Sequence, residues 1–288
     1  MKFVTFVSGN TTRLGVLDGA EVIDLASAMP NMPSDLREAL IAGVDLHSAA
    51  RQALASSAPR EPLSALALAP LLPRPGKIIC LGLNYYDHAA ESGREKPVYP
   101  WFFMRASSSL IGHGQPALRP VVSEQFDFEA ELALVIGSKV PRHVTHDEAL
   151  KHVFGYGCFN DISVRDYQRR TGQWTVGKNF DATGAFGPQL VTADELPPGA
   201  TNLRIQGRLN GEVVQDANTN DMIWGVAETI SLLSECMTLD AGDVIVMGTP
   251  SGIGAARKPP LWMKHGDRFE VEIEGVGLLS NPILDERR

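Results

Sequence analysis

The sequence predicts an α+β, β-rich fold: a small β-rich N-terminal domain at residues 1–74 and a larger, mainly β domain at residues 75–288. Three observations point there. Short apolar runs of strand length recur along the chain, helical periodicity is confined to a few segments, and five prolines crowd between Pro59 and Pro75.

Taken in order, Lys2 to Ser8 and Thr12 to Leu17 read as strands, and Asp18-Gly19 is a hairpin signal leading into Glu21-Val22-Ile23. Ser34 to Ala42 and Leu46 to Ala55 have helical character, and the prolines that follow interrupt regular structure, which places a boundary near residue 74. Downstream, Ile78 to Leu83, Leu132 to Ile136, Val244 to Met247 and Phe269 to Ile273 are strand-like. Thr145-His146-Asp147-Glu148 has capping-box spacing and predicts a short helix. The clearest helix is expected over Asp221 to Met237, with Met222, Ile223, Val226, Ala227, Ile230, Leu233 and Met237 on one stripe.

Composition narrows the function. The chain has 288 residues, 44% of them hydrophobic and 21% charged, which is the profile of a globular protein. Its net charge of -8 opposes binding to phosphate backbones and anionic lipid, so neither nucleic acid nor membrane is an expected partner. Cys80, Cys158 and Cys236 are far apart and form no C-x-x-C pair, which fits a reducing compartment and neither a disulfide framework nor a zinc clamp. The N-terminal run turns polar at Ser8-Gly9-Asn10, too soon for a signal peptide, so a cytoplasmic location is expected.

Chemistry concentrates in Phe126-Asp127-Phe128-Glu129-Ala130-Glu131-Leu132-Ala133-Leu134-Val135. Period-two geometry puts Glu129 and Glu131 on the same face as Ala133 and Val135. An arbitrary E-x-E is usually a solvated face, but here the same face continues apolar. Carboxylates crowded under partial burial lose hydration and repel, and a bound cation relieves both costs. Asp161, at the end of the strand-like run from Gly155, is the third candidate ligand; alone it would be a turn aspartate. Three carboxylates without histidine or thiolate suit hard Mg²⁺ or Mn²⁺ and leave coordination positions open.

These residues sit in recurring motifs. Asn84-Tyr85-Tyr86-Asp87-His88-Ala89-Ala90-Glu91, the E-x-E-L strand, Asn160-Asp161-Ile162-Ser163-Val164-Arg165-Asp166-Tyr167-Gln168, Gly177-Lys178-Asn179-Phe180-Asp181 with Gly187-Pro188, and Gly248-Thr249-Pro250-Ser251-Gly252 stand in one order. Together, over about residues 77 to 283, they resemble the fumarylacetoacetate hydrolase family, in its acylpyruvate hydrolase and 2-hydroxyhepta-2,4-diene-1,7-dioate isomerase-like branch. The resemblance implies a mixed β-roll catalytic domain, usually a homodimer, with a metal on Glu129, Glu131 and Asp161. One departure is Arg105, where many relatives carry lysine; the two cations differ in geometry, and Arg105 is expected to contact substrate.

Roles follow for the remaining candidates. His88 and Glu91 are three apart and face one side of a helical turn, as a surface helix would also place them; the resemblance favours a water-activating dyad. The polar segment Ser92 to Pro97 is expected to be a mobile lid. Lys178 is read as stabilising an oxyanion or enolate, with a surface ion pair as the bland reading. Arg165 and Gln168, at i,i+3 spacing, are expected either to reach a substrate oxygen or to brace a metal ligand. Thr249 and its glycine-rich loop are expected to approach an anionic substrate.

The resulting expectation is a hydrolase of 2,4-dioxo acids, with acylpyruvates such as maleylpyruvate or fumarylpyruvate, or fumarylacetoacetate, as substrates in aromatic-compound catabolism. Water activated by His88 and Glu91 attacks the C4 carbonyl, and pyruvate enolate departs. The alternatives are an isomerase, decarboxylase, hydratase or tautomerase working through the same enolate, and a non-enzymatic metal-binding oligomer.

Overall fold

The computed structural model describes residues 1–91 and 96–287. Among them an eleven-stranded sheet runs in the order Arg60–Pro62, Glu21–Asp24, Thr11–Asp18, Lys2–Ser8, Gly184–Thr192, Val153–Asp161, Ala130–Ile136, Val244–Val246, Ile78–Gly82 and Trp101–Met104, with Leu110–Ile111 pairing beside Gly184–Thr192. A five-stranded sheet follows the order Glu212–Asn218, Arg204–Leu209, Arg268–Ile273, Gly277–Asp285 and Ala117–Arg119. The α+β, strand-rich class read from the apolar runs is the class observed. The N-terminal strands do not form a sheet of their own: Lys2 and Phe3 pair with Val191 and Leu190, so residues 2–24 extend the large sheet.

The strand Ala130–Ile136 lies near the middle, buried throughout, and its alternation organises the packing. Ala130, Leu132, Leu134 and Ile136 face one core, where Phe269, Val271 and Ile273 of the second sheet meet them. Ala133 and Val135 face another core, closed by Leu36, Ala39, Leu46 and Ala50 from the helices Leu36–Ile41 and Leu46–Ala55. A fully buried side chain of this size contributes about 1.5–3 kcal/mol, so both faces weigh in stability.

Two local expectations are corrected. The longest helix begins at Val226, not Asp221, and ends at Cys236. Asn218 and Asp221 cap a separate short turn, and the Ile223 and Trp224 amides donate to Asn84, which holds that stretch extended. The helix His146–Ala149 forms, but Thr145 makes no side-chain cap; the Val144 amide donates instead to Ser234 Oγ on the long helix. Among the described residues no helix is long and apolar enough to cross a membrane.

Candidate active site

Glu129 and Glu131 continue the face of Ala133 and Val135 beyond the region the N-terminal helices cover, as the period-two reading requires. The register brings Asp161 beside them: Ala130 pairs with Asn160, and the Asp161 amide donates to the Glu129 carbonyl at 3.0 Å. One oxygen from each of Glu129, Glu131 and Asp161 lies within 4.8 Å of the others, and all three residues are buried.

Cations converge on this cluster. Lys178, 2% exposed, donates to Glu129 Oε2 at 2.7 Å and to Asp161 Oδ2 at 2.5 Å. Arg165 Nε donates to Asp127 Oδ2 at 2.7 Å and Nη1 to Gln168 Oε1 at 2.9 Å; Nη2 lies 2.7 Å from Glu129 Oε1 as an ion pair off the hydrogen-bonding direction. Burial raises the Glu129 carboxyl, but Lys178 and Arg165 outweigh it and hold it well below the usual range. Glu131 goes the other way. Burial, then the charges of Asp161 and Glu129, push it well above that range, while the Gly248 amide is its backbone donor. Burial lowers the Lys178 ammonium, yet Asp161 and Glu129 raise it overall, so it stays charged.

The donor set fits a divalent ion. Asp127, Glu129, Glu131 and Asp161 are buried against Arg105, Arg165 and Lys178, which leaves one negative charge in excess when all are ionised. A divalent cation reverses that excess and leaves one positive charge for a carboxylate group of an anionic ligand, and the all-oxygen set suits Mg²⁺ or Mn²⁺.

A cavity of about 520 Å³ opens over Glu129 and Lys178. Seven of the ten residues singled out from sequence line it: His88, Glu91, Glu129, Arg165, Gln168, Lys178 and Thr249. His88 Nδ1 and Glu91 Oε1 are 2.8 Å apart, and the Gly252 amide donates to Glu91 Oε2 at 2.9 Å, so the carboxylate orients the imidazole and is itself held by the glycine loop. Thr249 Oγ donates to the Ala130 carbonyl and accepts from Gln215 Nε2. In the loop's first turn Gly248 has φ of +88°, which favours glycine, and its amide reaches Glu131 Oε2 at 2.6 Å.

Arg105 is placed differently from its expectation. Its guanidinium is fully buried behind the carboxylate cluster, bonded to Asp161, the Ile162 carbonyl, Ser109 Oγ and Thr183 Oγ, so its charge is committed to Asp161 and it does not line the cavity. Arg165 is tied to Asp127 and Glu129 while still lining the cavity. The expected lid at Ser92 to Pro97 falls mostly on residues 92–95, outside the described residues.

Two contributors escaped the sequence reading. Asp127, one strand period before Glu129, accepts from the Gly254 and Ala255 amides at 2.8 and 3.0 Å and from Arg165, pinning loop and cation together. Its alternation with the two glutamates was the available signal. Gln215, whose amide joins Ala130 to Thr249 and Pro250, carries no local signal.

The geometry coincides with a family-wide pattern, since residues 77–284 match the one described as fumarylacetoacetate (FAA) hydrolase C-terminal. The chain belongs to the fumarylacetoacetate hydrolase family. It is 40% identical to the human mitochondrial oxaloacetate tautomerase FAHD2A over 269 residues, covering 93% of this chain and 85% of that one. Fumarylacetoacetate hydrolase from Exiguobacterium antarcticum is similar in structure, with a TM-score of 0.85, 34% identity, and 99% and 100% of the two chains covered. Maleylpyruvate hydrolase from Sphingobium sp. SYK-6, in complex with manganese(II) and pyruvate, gives a TM-score of 0.82 at 29% identity over the full length of both. The shared fold makes this chain an enzyme of the family; its named relatives divide between tautomerases, isomerases and hydrolases.

Proposed function

We propose that the chain is a divalent-metal-dependent enzyme that forms and discharges the enolate of a small 2-oxo acid, with keto–enol interconversion of oxaloacetate as the first reading. The observation that carries it is the His88–Glu91 pair, 2.8 Å apart, on the wall of the same cavity as Lys178 and the carboxylate cluster. A divalent ion on Glu129, Glu131 and Asp161 would supply the Lewis acid that polarises the 2-oxo group.

The chain's own groups account for the rest. Glu91 holds His88 Nδ1, leaving Nε2 to exchange a proton with C3 of the substrate, and it stabilises the imidazolium when that proton arrives. The Lys178 cation, fixed by Glu129 and Asp161, lowers the energy of the enolate oxygen. Gln168 and Arg165 on the cavity wall offer donors that orient the substrate carboxylate, while Thr249, whose hydroxyl proton is held by the Ala130 carbonyl, fixes the loop beside them. Tautomerisation ranks first because it asks only for this proton transfer and because similarity to the tautomerases extends over more than nine-tenths of the chain.

Hydrolysis of an acylpyruvate is the second reading, supported by the likeness to maleylpyruvate hydrolase over the whole chain. There His88 withdraws its proton from water, which attacks C4, and pyruvate enolate leaves toward Lys178. A homodimer is proposed on the family resemblance, with light scattering as its check.

The deciding assay follows ultraviolet absorbance of oxaloacetate and of an acylpyruvate panel with Mg²⁺, Mn²⁺ or chelator, coupled to pyruvate detection. Metal-dependent enol–keto decay of oxaloacetate without pyruvate supports the first reading, and stoichiometric pyruvate from an acylpyruvate the second. Absence of metal-dependent change with every substrate overturns both. His88→Ala should retain metal and lose roughly 10²–10⁴-fold in turnover.

A further inference from the structure

The cavity holds one feature that the proton-transfer machinery does not use. Phe103 lies 5.2 Å from Lys178 Nζ, measured to the ring centroid, and aromatic rings continue outward from it. Trp174 meets Phe103 edge-on at 5.5 Å, and Trp101 stacks on Trp174 at 5.4 Å with planes 23° apart. Trp101 and Phe103 share a face of the strand Trp101–Met104, and all three rings line the cavity. Trp101 is 41% exposed, and among the described residues neither indole is part of a hydrophobic core cluster. The seat for Trp174 is specific: a Cβ on Gly82 would stand 2.1 Å from its Cζ3 atom. A glycine at this place in the strand Ile78–Gly82 lets the six-membered ring of the indole pack directly against the strand.

We infer that this aromatic shelf binds a flat, apolar substituent on C3 of a 2-oxo acid, and that the enzyme therefore also interconverts the keto and enol forms of arylpyruvates. The inference rests on the enolate reading of the same site. Oxaloacetate has a carboxylate at that position and gains little from an aromatic wall, whereas an aryl group packs against the exposed edges and faces of these rings. The shelf starts beside Lys178, where the 2-oxo oxygen is placed, so a ring one carbon beyond C3 falls against Phe103 and Trp174. The step balances as an isomerisation. The C3–H bond breaks, its electron pair becomes the C2–C3 double bond, and a proton is added to the C2 oxygen, with no co-reactant consumed.

The test uses phenylpyruvate, with oxaloacetate as reference, on the Mg²⁺- or Mn²⁺-loaded full chain. Turnover is read from enol absorbance, and binding from quenching of tryptophan fluorescence. Trp174→Ala and Gly82→Ala should each lower kcat/KM for phenylpyruvate about tenfold relative to oxaloacetate, mainly through KM, and Trp174→Phe should restore most of it. In Gly82→Ala, which keeps both indoles, loss of the far-UV exciton couplet expected of the stacked pair, with the rest of the far-UV spectrum unchanged, reports that the shelf is dismantled in a folded chain. Turnover of oxaloacetate without turnover of phenylpyruvate overturns the inference and leaves the enolate reading intact. Phenylpyruvate turnover that persists unchanged after the couplet is lost also overturns it. Activity toward neither compound removes the enolate reading together with the inference.

Discussion

Glu131 carries the largest electrostatic tension in the site. Its neighbours Glu129 and Asp161 are both paired with Lys178, whereas Glu131 has the Gly248 amide and no cation of its own among the described residues. Ionising it in the metal-free protein costs stability, so the site trades stability for the capacity to take a cation. Glu131→Gln removes the charge and keeps an oxygen for the Gly248 amide. The metal-free variant should melt ~2–4 °C above wild type while metal binding collapses, as scanning calorimetry and metal titration would measure. A lower melting temperature would mean that Glu131 is not under that tension.

At the scale of elements, the glycine loop and the short helix Arg165–Gln168 are coupled through one side chain. Asp127 takes two loop amides and the Arg165 guanidinium. Asp127→Asn leaves Arg165 underpaired and turns one acceptor into a donor facing amides, so about 3–5 kcal/mol should be lost, with KM rising as Arg165 and the loop shift. Urea unfolding and steady-state kinetics would show it, and a loss near zero would place the coupling elsewhere.

His113 makes a second element-scale case. Its Nδ1 accepts from the Ser280 amide at 3.1 Å, which requires the uncharged nitrogen, and burial followed by Arg268 lowers its pKa against an opposing pull from Glu270. The folded state therefore binds fewer protons than the unfolded state below about pH 6.5. The contribution of His113 is complete above that value and is lost as pH falls toward the folded pKa. Melting temperatures between pH 7 and 5 should decline less steeply in His113→Asn than in wild type; equal slopes would exclude this histidine as a source of acid sensitivity.

For the whole molecule, the N-terminal segment is part of the sheet and cover for one of its faces. Lys2–Ser8 pairs with Gly184–Thr192, and Leu36, Ala39, Leu46 and Ala50 close the core containing Ala133, Val135, Phe159 and Val244. Removing residues 1–74 would expose a sheet edge and that apolar face together. The truncated chain should bind a hydrophobic dye and associate in size-exclusion chromatography; a monodisperse, dye-negative product would mean that residues 75–288 fold independently.

What the sequence determined by itself is local geometry and the chemistry riding on it. Strand alternation put Glu129 and Glu131 on the face of Ala133 and Val135, i,i+3 spacing joined His88 to Glu91 and Arg165 to Gln168, and an all-oxygen donor set indicated a hard divalent ion. These follow from backbone periods that hold wherever the element ends up. The tertiary structure decided which side of the carboxylate cluster Arg105 would occupy, that Asp127 and Gln215 would brace the loop, that the N-terminal strands would extend the catalytic sheet, and that Phe103, Trp174 and Trp101 would form one wall. Each joins residues dozens of positions apart. Strand order and register bring such pairs together, and these are set by the burial of whole faces, which no single segment encodes.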